Sequence, residues 1–365
     1  MLKRVHFAGI KSLADVTIDL ERFTVLVGPN GCGKSTVLNH IELLCRGSFP
    51  QGSDGHALGA AGRAIQEAKA TTELTADSTD GMTWRGESDR GELEIRVPPW
   101  TGTNWMKSAE VSFRLVNSAR RTLPPGPGGP PDQSSRMDSA LALAGSWSAQ
   151  RLRLEPDAIA APSPVEVTTL SPNGQGLPTI LKDFASDNPD GIQSLKKDLT
   201  RVVPPFRDLK FGKGKIESPD KRSQIDVTTL SLEMLGAGRV SASTVSDGTL
   251  VSLALLTVAH HRDLPNIVLM DDIDHGLHLG AQHEIIAAIR RVMEVRPELQ
   301  VICTTHSPIL LDSFDISEVR VMALDGKGHT RVKPLSEHPT LDAWRSGYTS
   351  GELWANLGEE WVASG

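Results

Sequence analysis

The chain has 365 residues, 39% hydrophobic and 23% charged, a balance suited to one large α/β domain with insertions or to two smaller domains. Its formal net charge of −7 excludes a protein that coats nucleic acid over its whole surface, while leaving room for a local basic patch. The three cysteines, Cys32, Cys45 and Cys303, lack metal-binding spacing and read as reduced thiols.

Met1 leads into a strand pattern without a signal peptide, and no apolar run approaches the ~20 residues that span a bilayer. A cytoplasmic protein with no membrane segment is the default expectation. Residues 2–9 and 15–20 alternate apolar and polar side chains, as half-exposed antiparallel strands do. Residues 23–28, FTVLVG, are continuously apolar and predict a buried parallel strand. A glycine-rich loop follows, then a helix from Lys34 to about Cys45.

Residues 46 to about 165 are rich in Gly, Ala, Ser and Pro, with strand patterns at 91–97 and 109–116. Within them the 123–135 stretch, LPPGPGGPPDQSS, suits neither helix nor sheet and reads as a loop. Helical spacing returns from Pro178 to Val203, and residues 206–235 read as strands joined by charged turns. From Val240 onward the pattern is an α/β series. A helix covers about 247–262, a buried strand 266–271, and a helix 281–296 carries Ile285, Ile289, Val292 and Met293 on one face. A second buried strand runs 300–305, a hairpin 318–335 turns at Asp325–Gly328, and a helix closes the chain near 351–362.

Four segments carry chemistry. Gly28-Pro29-Asn30-Gly31-Cys32-Gly33-Lys34-Ser35 matches G-x-x-x-x-G-K-[ST] between an apolar strand and a helix, the context in which such a loop cradles phosphates. Glycines 28, 31 and 33 let backbone N–H groups point at phosphate oxygens. Lys34 is expected to reach the β- and γ-phosphates, Ser35 to ligate Mg²⁺, and Thr36 to hold the α-phosphate side. ATP and Mg²⁺ are the cofactors this loop predicts. In NIVLMDDIDHGLH (266–278), Asp271 ends a buried strand where it suits the metal's water shell, and Asp272 suits a base for the attacking water. In QVICTTHSPILLD (300–312), His306 ends the next core strand, where a γ-phosphate sensor is needed. In TVSDGTLV (244–251), Ser246 and Gly248 begin a helix and read as an N-cap, as a second anion site, or as both.

Together these segments resemble the ABC-type ATPases of the RecF/SMC branch, and more closely the stand-alone ATPases related to the overcoming-lysogenisation-defect (OLD) family. The opening FAGIKSLADVTIDLERFTVLVGPNGCGKST is similar to that branch's N-terminal lobe, including Lys11-Ser12. SDGT, DDIDHGLH and TTHSP look like its signature, Walker B/D-loop and switch-histidine segments, and GELWANLGEEWV (351–362) resembles its tail. The resemblance implies an α/β P-loop NTPase head of ABC type, with an N-terminal antiparallel β lobe, a parallel-sheet core and an inserted β/helical lobe. Its expected parts are 1–45, the first half of the head; 46–239, the insertion; 240–335, the second half; and 336–365, a helical tail. It also implies a homodimer sandwiching two ATPs, Ser246 and Gly248 of one copy completing the other's γ-phosphate site.

Two departures from that pattern matter. Asp272 stands where the ABC pattern usually has Glu, which is expected to slow hydrolysis and make ATP more clamp than fuel. The Q-loop glutamine has two candidates, Gln66 and Gln150. About sixty residues follow His306, too few for a Toprim nuclease, so an effector such as a nuclease is expected as a separate polypeptide. The basic run Arg207, Lys210, Lys213, Lys215, Lys221 and Arg222 reads equally as a DNA- or RNA-backbone contact or as a solvated hairpin surface. Trp344, Trp354 and Trp361 read as packing rather than a base-stacking platform. An ATPase switch and a slow, ATP-dependent scaffold are the two functions that fit. A transporter motor is disfavoured by the SMC-like opening and the long polar insertion.

Overall fold

The computed structural model describes residues 1–46, 82–89, 91–97, 110–115, 121–123, 148–218, 223–344 and 347–364. Gln66, Lys221, Arg222 and residues 124–135 lie outside them. The chain forms two compact units, Met1–Gln150 with Gln300–Gly365, and Arg151–Leu299.

The first unit opens with β1 (Leu2–Ile10) and β2 (Leu13–Asp19), paired antiparallel from Arg4↔Asp19 to Ile10↔Leu13. Val5, Phe7, Val16 and Ile18 are buried from these alternating strands. Lys11 sits in the turn between them at φ 48. β3 (Phe23–Val27) is buried at every position, as its unbroken apolar run requires. α1 (Lys34–Arg46) follows the glycine-rich loop.

β4 (Met82–Ser88) pairs antiparallel with β1, then β5 (Gly91–Val97), β6 (Glu110–Leu115) and β7 (Arg121–Leu123) continue the sheet in the order β2-β1-β4-β5-β6-β7. Strands of the predicted insertion therefore extend the N-terminal lobe. β4 escapes sequence reading because MTWRGES has no sustained alternation. What fixes it is Trp84, whose Nε1 donates to His40 Nδ1 of α1 at 2.9 Å inside the core. β8 (Ala149–Leu152) leads from the first unit into the second.

The second unit continues with α2 (Pro156–Ala160), β9 (Ser163–Pro164), α3 (Leu177–Asp187) and α4 (Pro189–Val202). The single helical pattern of 178–203 is thus two helices. Asn188 leaves the helical region at φ −137, accepts from Gly191 N at 2.8 Å, and Pro189 starts the new helix. β10 (Phe206–Glu217), β11 (Gln224–Met234) and β12 (Gly238–Ser241) form an antiparallel sheet. α5 (Asp247–His260), β13 (Ile267–Met270) and α6 (Leu279–Val295) follow, with Ile285, Ile289, Val292 and Met293 buried as their spacing predicts.

Two buried ionic centres hold these helices. Asp198 of α4 accepts from Arg291 Nη2 of α6 at 2.8 Å and sits 3.1 Å from His260 Nε2 of α5. Arg296, 2% exposed, donates to the carbonyls of Val258, Ala259, His261 and Leu264, neutralising the negative end of α5.

The first unit resumes with β14 (Gln300–Thr304), α7 (Pro308–Leu311), β15 (Val319–Leu324), β16 (Thr330–Pro334), α8 (Leu341–Trp344), α9 (Ser350–Leu357) and α10 (Glu360–Ala363). β3 lies between β14 and β15, parallel to both, and β16 closes antiparallel on β15. Gln300 at the start of β14 is fully buried because its side-chain amide donates to the Leu2 and Glu21 carbonyls and accepts from Leu2 N. The closing helix is also two, broken by Gly358 at φ 61. Trp354 is buried from α9, whereas Trp361 of α10 packs edge-on against His338 at 4.8 Å. No helix among the described residues is long and apolar enough to cross a membrane.

Candidate nucleotide-binding site

The glycine-rich loop leaves the C-terminal end of β3 and enters α1. Gly28, Gly31 and Gly33 hold φ values of 147°, 80° and 103°, which only glycine adopts without strain. At Gly28 space forbids a side chain as well, since a Cβ would overlap the Met322 carbonyl oxygen of β15. Gly31 has nothing within 4 Å, so its requirement is conformational alone. Lys34 arches back over the loop, donating to the Gly28 carbonyl at 2.9 Å and the Pro29 carbonyl at 3.0 Å. Asn30, Gly31 and Ser35 are exposed, Thr36 is half-buried and Cys32 is buried. Burial pushes the Cys32 thiol up despite the Lys34 charge, so the thiol stays protonated.

A buttress that sequence reading missed stands behind this loop. Thr330 Oγ1, on β16, lies 2.9 Å from the Cys32 carbonyl and 2.8 Å from Ser12 Oγ, and Thr330 N donates to the Ser12 carbonyl at 2.7 Å. Ser12 carries a signal, being part of the Lys11-Ser12 pair. Thr330 carries none, because it is an unremarkable strand residue.

His306 is exposed just beyond β14, the parallel neighbour of β3, so His306 and the loop leave the same ends of adjacent strands. Thr305 is fully buried, and its hydroxyl accepts from Ser307 N at 3.0 Å.

The second unit gathers the other candidates. Asp271 follows β13, and its backbone N donates to the Leu152 carbonyl of β8 at 3.3 Å. Its Oδ2 accepts from Arg151 Nη2 at 2.6 Å. Gln150 is buried one residue before that arginine. Asp272 is exposed at φ 51; Lys11 is the other non-glycine residue at positive φ among those described. Strain of this kind persists where surrounding structure enforces it. Ser246 and Asp247 are exposed at the start of α5, and Ser246 Oγ lies 2.8 Å from Thr249 Oγ1 rather than capping a backbone N–H. A Cβ on Gly248 would stand 2.6 Å from the Gly276 carbonyl, so the start of α5 packs closely on the turn after Asp272. Arg151 went unnoticed in the sequence because a lone arginine on a short strand has no pattern.

Three of the four described residues of the basic run have local partners, and the fourth, Lys213, is exposed on β10. Lys210 pairs with Asp208 at 2.9 Å, Lys215 lies 3.9 Å from Asp226, and Arg207 donates to the Pro204 and Phe206 carbonyls.

A family model described as "AAA domain, putative AbiEii toxin, Type IV TA system" matches residues 145–312, and another described as "AAA domain" matches residues 4–113. The Septu protein PtuA of Bacillus thuringiensis is 28% identical over 92 residues, covering 25% of this chain and 22% of that protein. The OLD nuclease of Thermus scotoductus is 40% identical over 50 residues, covering 14% of this chain and 10% of that protein. The chain thus spans about a fifth of one relative and a tenth of the other. Among solved structures, an SmcHead bound to the C-winged helix domain of ScpA superposes with a TM-score of 0.56 at 14% identity, covering 91% of this chain and 96% of that one. A Smc head with an extended coiled coil, derived from Pyrococcus furiosus and bound to the C-terminal domain of ScpA, gives 0.52 at 14% identity, covering 94% and 98%. The fold is that of an Smc head domain.

Proposed function

We propose that this chain, an ABC/SMC-like ATPase protein related to the OLD family, binds and hydrolyses ATP with Mg²⁺ as a dimeric switch, acting with a separate effector in DNA metabolism or anti-phage defence. The observation that carries this reading is the loop from Gly28 to Ser35. Its three positive-φ glycines clear the backbone of side chains, and the α1 N-terminus and the Lys34 ammonium add positive charge. That combination fits a polyphosphate.

In this reading Lys34 exchanges the Gly28 and Pro29 carbonyls for β- and γ-phosphate oxygens, a charge-assisted and therefore stronger contact. The Ser35 hydroxyl and the Asp271 carboxylate are hard oxygen donors of the kind Mg²⁺ takes beside phosphate. Once bound, the ion would supply neutralisation of the phosphate charge. Asp272 orients the attacking water and accepts its proton, and His306 hydrogen-bonds the γ-phosphate. Ser246 and Gly248, exposed or half-exposed at the start of α5, are presented to the nucleotide of a second copy.

Two observations favour a second reading, the ATP-dependent scaffold. The grip of Arg151 on Asp271 competes with metal loading, and Asp272 is one methylene shorter than a glutamate. Phosphate release by wild type, Lys34→Ala and Asp272→Ala separates the two. The switch predicts turnover that both variants lose, whereas nucleotide binding without turnover selects the scaffold. A wild type that binds no nucleotide overturns both. Gel filtration of Asp272→Asn with ATP and Mg²⁺ tests the sandwich, which a species monomeric at every concentration contradicts.

A further inference from the structure

We infer that the tail helix α9 positions the switch histidine, so that residues 349–357 govern catalysis without touching nucleotide. The inference rests on the reading that His306 contacts the γ-phosphate.

His306 stands between two supports. On one side is β14, held by its pairing with β3. On the other is α7, a helix of four residues, with Ser307 as its N-cap accepting from Leu310 N at 3.2 Å. A single helical turn does not hold itself, because nucleation costs more than one turn of hydrogen bonds returns. Whatever packs on α7 therefore sets where His306 lies.

That partner is α9. Gly351 N donates to Asp312 Oδ1, at the C-terminal end of α7, at 2.9 Å, and Ser350 Oγ donates to the Phe314 carbonyl at 2.9 Å. A Cβ on Gly351 would overlap the Pro308 carbonyl oxygen, so the two backbones meet without intervening side chains. Leu310 and Leu311 of α7 and Leu353 of α9 are fully buried. The start of α9 is itself fixed by a reciprocal cap, Thr349 N donating to Glu352 Oε2 at 2.9 Å and Glu352 N to Thr349 Oγ1 at 3.3 Å. The rigid end of the tail is thus the end that meets α7.

Asp312→Ala removes the acceptor with little change in volume, and Gly351→Ala forces the backbones apart. Trp361→Ala, in α10, serves as a destabilised control, since the contacts of Trp361 are with His338, Lys333 and Gly358 rather than with α7. In both tail variants kcat should fall at least about tenfold, the scale of a small misplacement of a catalytic group, with nucleotide affinity within about twofold of wild type. Trp361→Ala should keep kcat within about twofold. Combining Asp312→Ala with His306→Ala should be no slower than His306→Ala alone, whereas general destabilisation would add. The His306 imidazole NMR signal should shift in both tail variants and not in Trp361→Ala. An unmoved imidazole signal in a folded Asp312→Ala, or additive losses in the double variant, overturns the inference. Were wild type to bind ATP without turnover, the hydrolysis reading would fail separately, and the imidazole signal alone would decide this one.

Discussion

Arg151 Nη2 donates to Asp271 Oδ2 at 2.6 Å, so the carboxylate at the end of β13 is already held by a cation from the adjoining strand β8. The Asp271 side chain is 11% exposed and that of Arg151 22%, which limits what water can do to replace either partner. Arg151→Ala should therefore cost about 2 kcal/mol in urea unfolding without nucleotide, chiefly from the carboxylate left unpaired. The same variant should lower the Mg²⁺ concentration that half-saturates nucleotide binding, because a competing positive charge is gone. A higher Mg²⁺ requirement would show that Arg151 assists metal loading instead, and an unchanged one that its charge does not act on the metal.

The phosphate loop offers a paired test of conformation against space. Gly31→Ala meets nothing within 4 Å and should cost only the left-handed backbone penalty, roughly 1–2 kcal/mol. Gly28→Ala adds overlap with the Met322 carbonyl and should cost clearly more. Urea unfolding of both variants, without nucleotide, checks the order.

Asp272 holds φ 51 on an exposed turn. Asp272→Gly should leave folding stability unchanged or raise it by up to about 1 kcal/mol, since glycine takes that conformation without strain. Phosphate release should be lost in the same protein. Stability that falls together with activity would place the residue's importance in the fold.

Burial lowers His40 from 6.5 to about 4, and the neutral ring accepts from Trp84 Nε1. The sign follows from this depressed value: below pH 6.5 the unfolded chain takes up a proton that the native ring refuses. Stability should decline as pH falls from 6.5 toward 4, by up to about 3 kcal/mol from this group. His40→Gln should flatten that limb of the profile, measured by thermal unfolding across pH, whatever its effect on stability at pH 7.

The segments legible in advance were those whose chemistry is contiguous. Eight consecutive residues specify the glycine-rich loop, because glycine's conformational freedom and the following helix are properties of neighbours in the chain. The unbroken apolar runs of β3, β13 and β14 announced buried strands for the same reason, and the acids and the histidine follow them directly. Helix breaks were less legible: Asn188-Pro189 and Gly358 interrupt patterns whose apolar spacing continues on both sides.

What the tertiary structure alone decided is which distant side chains support those segments. Thr330 reaches Ser12 across 318 positions, Arg151 reaches Asp271 across 120, and Gly351 reaches Asp312 across 39. Such partners are selected by packing, where a buried donor must find an acceptor wherever the fold supplies one. A single threonine, arginine or glycine leaves no periodicity for the sequence to display. The sequence by itself determined where the glycine-rich loop, acids and histidine stand; three-dimensional packing determined what holds the loop, the acid and the histidine's helix in place.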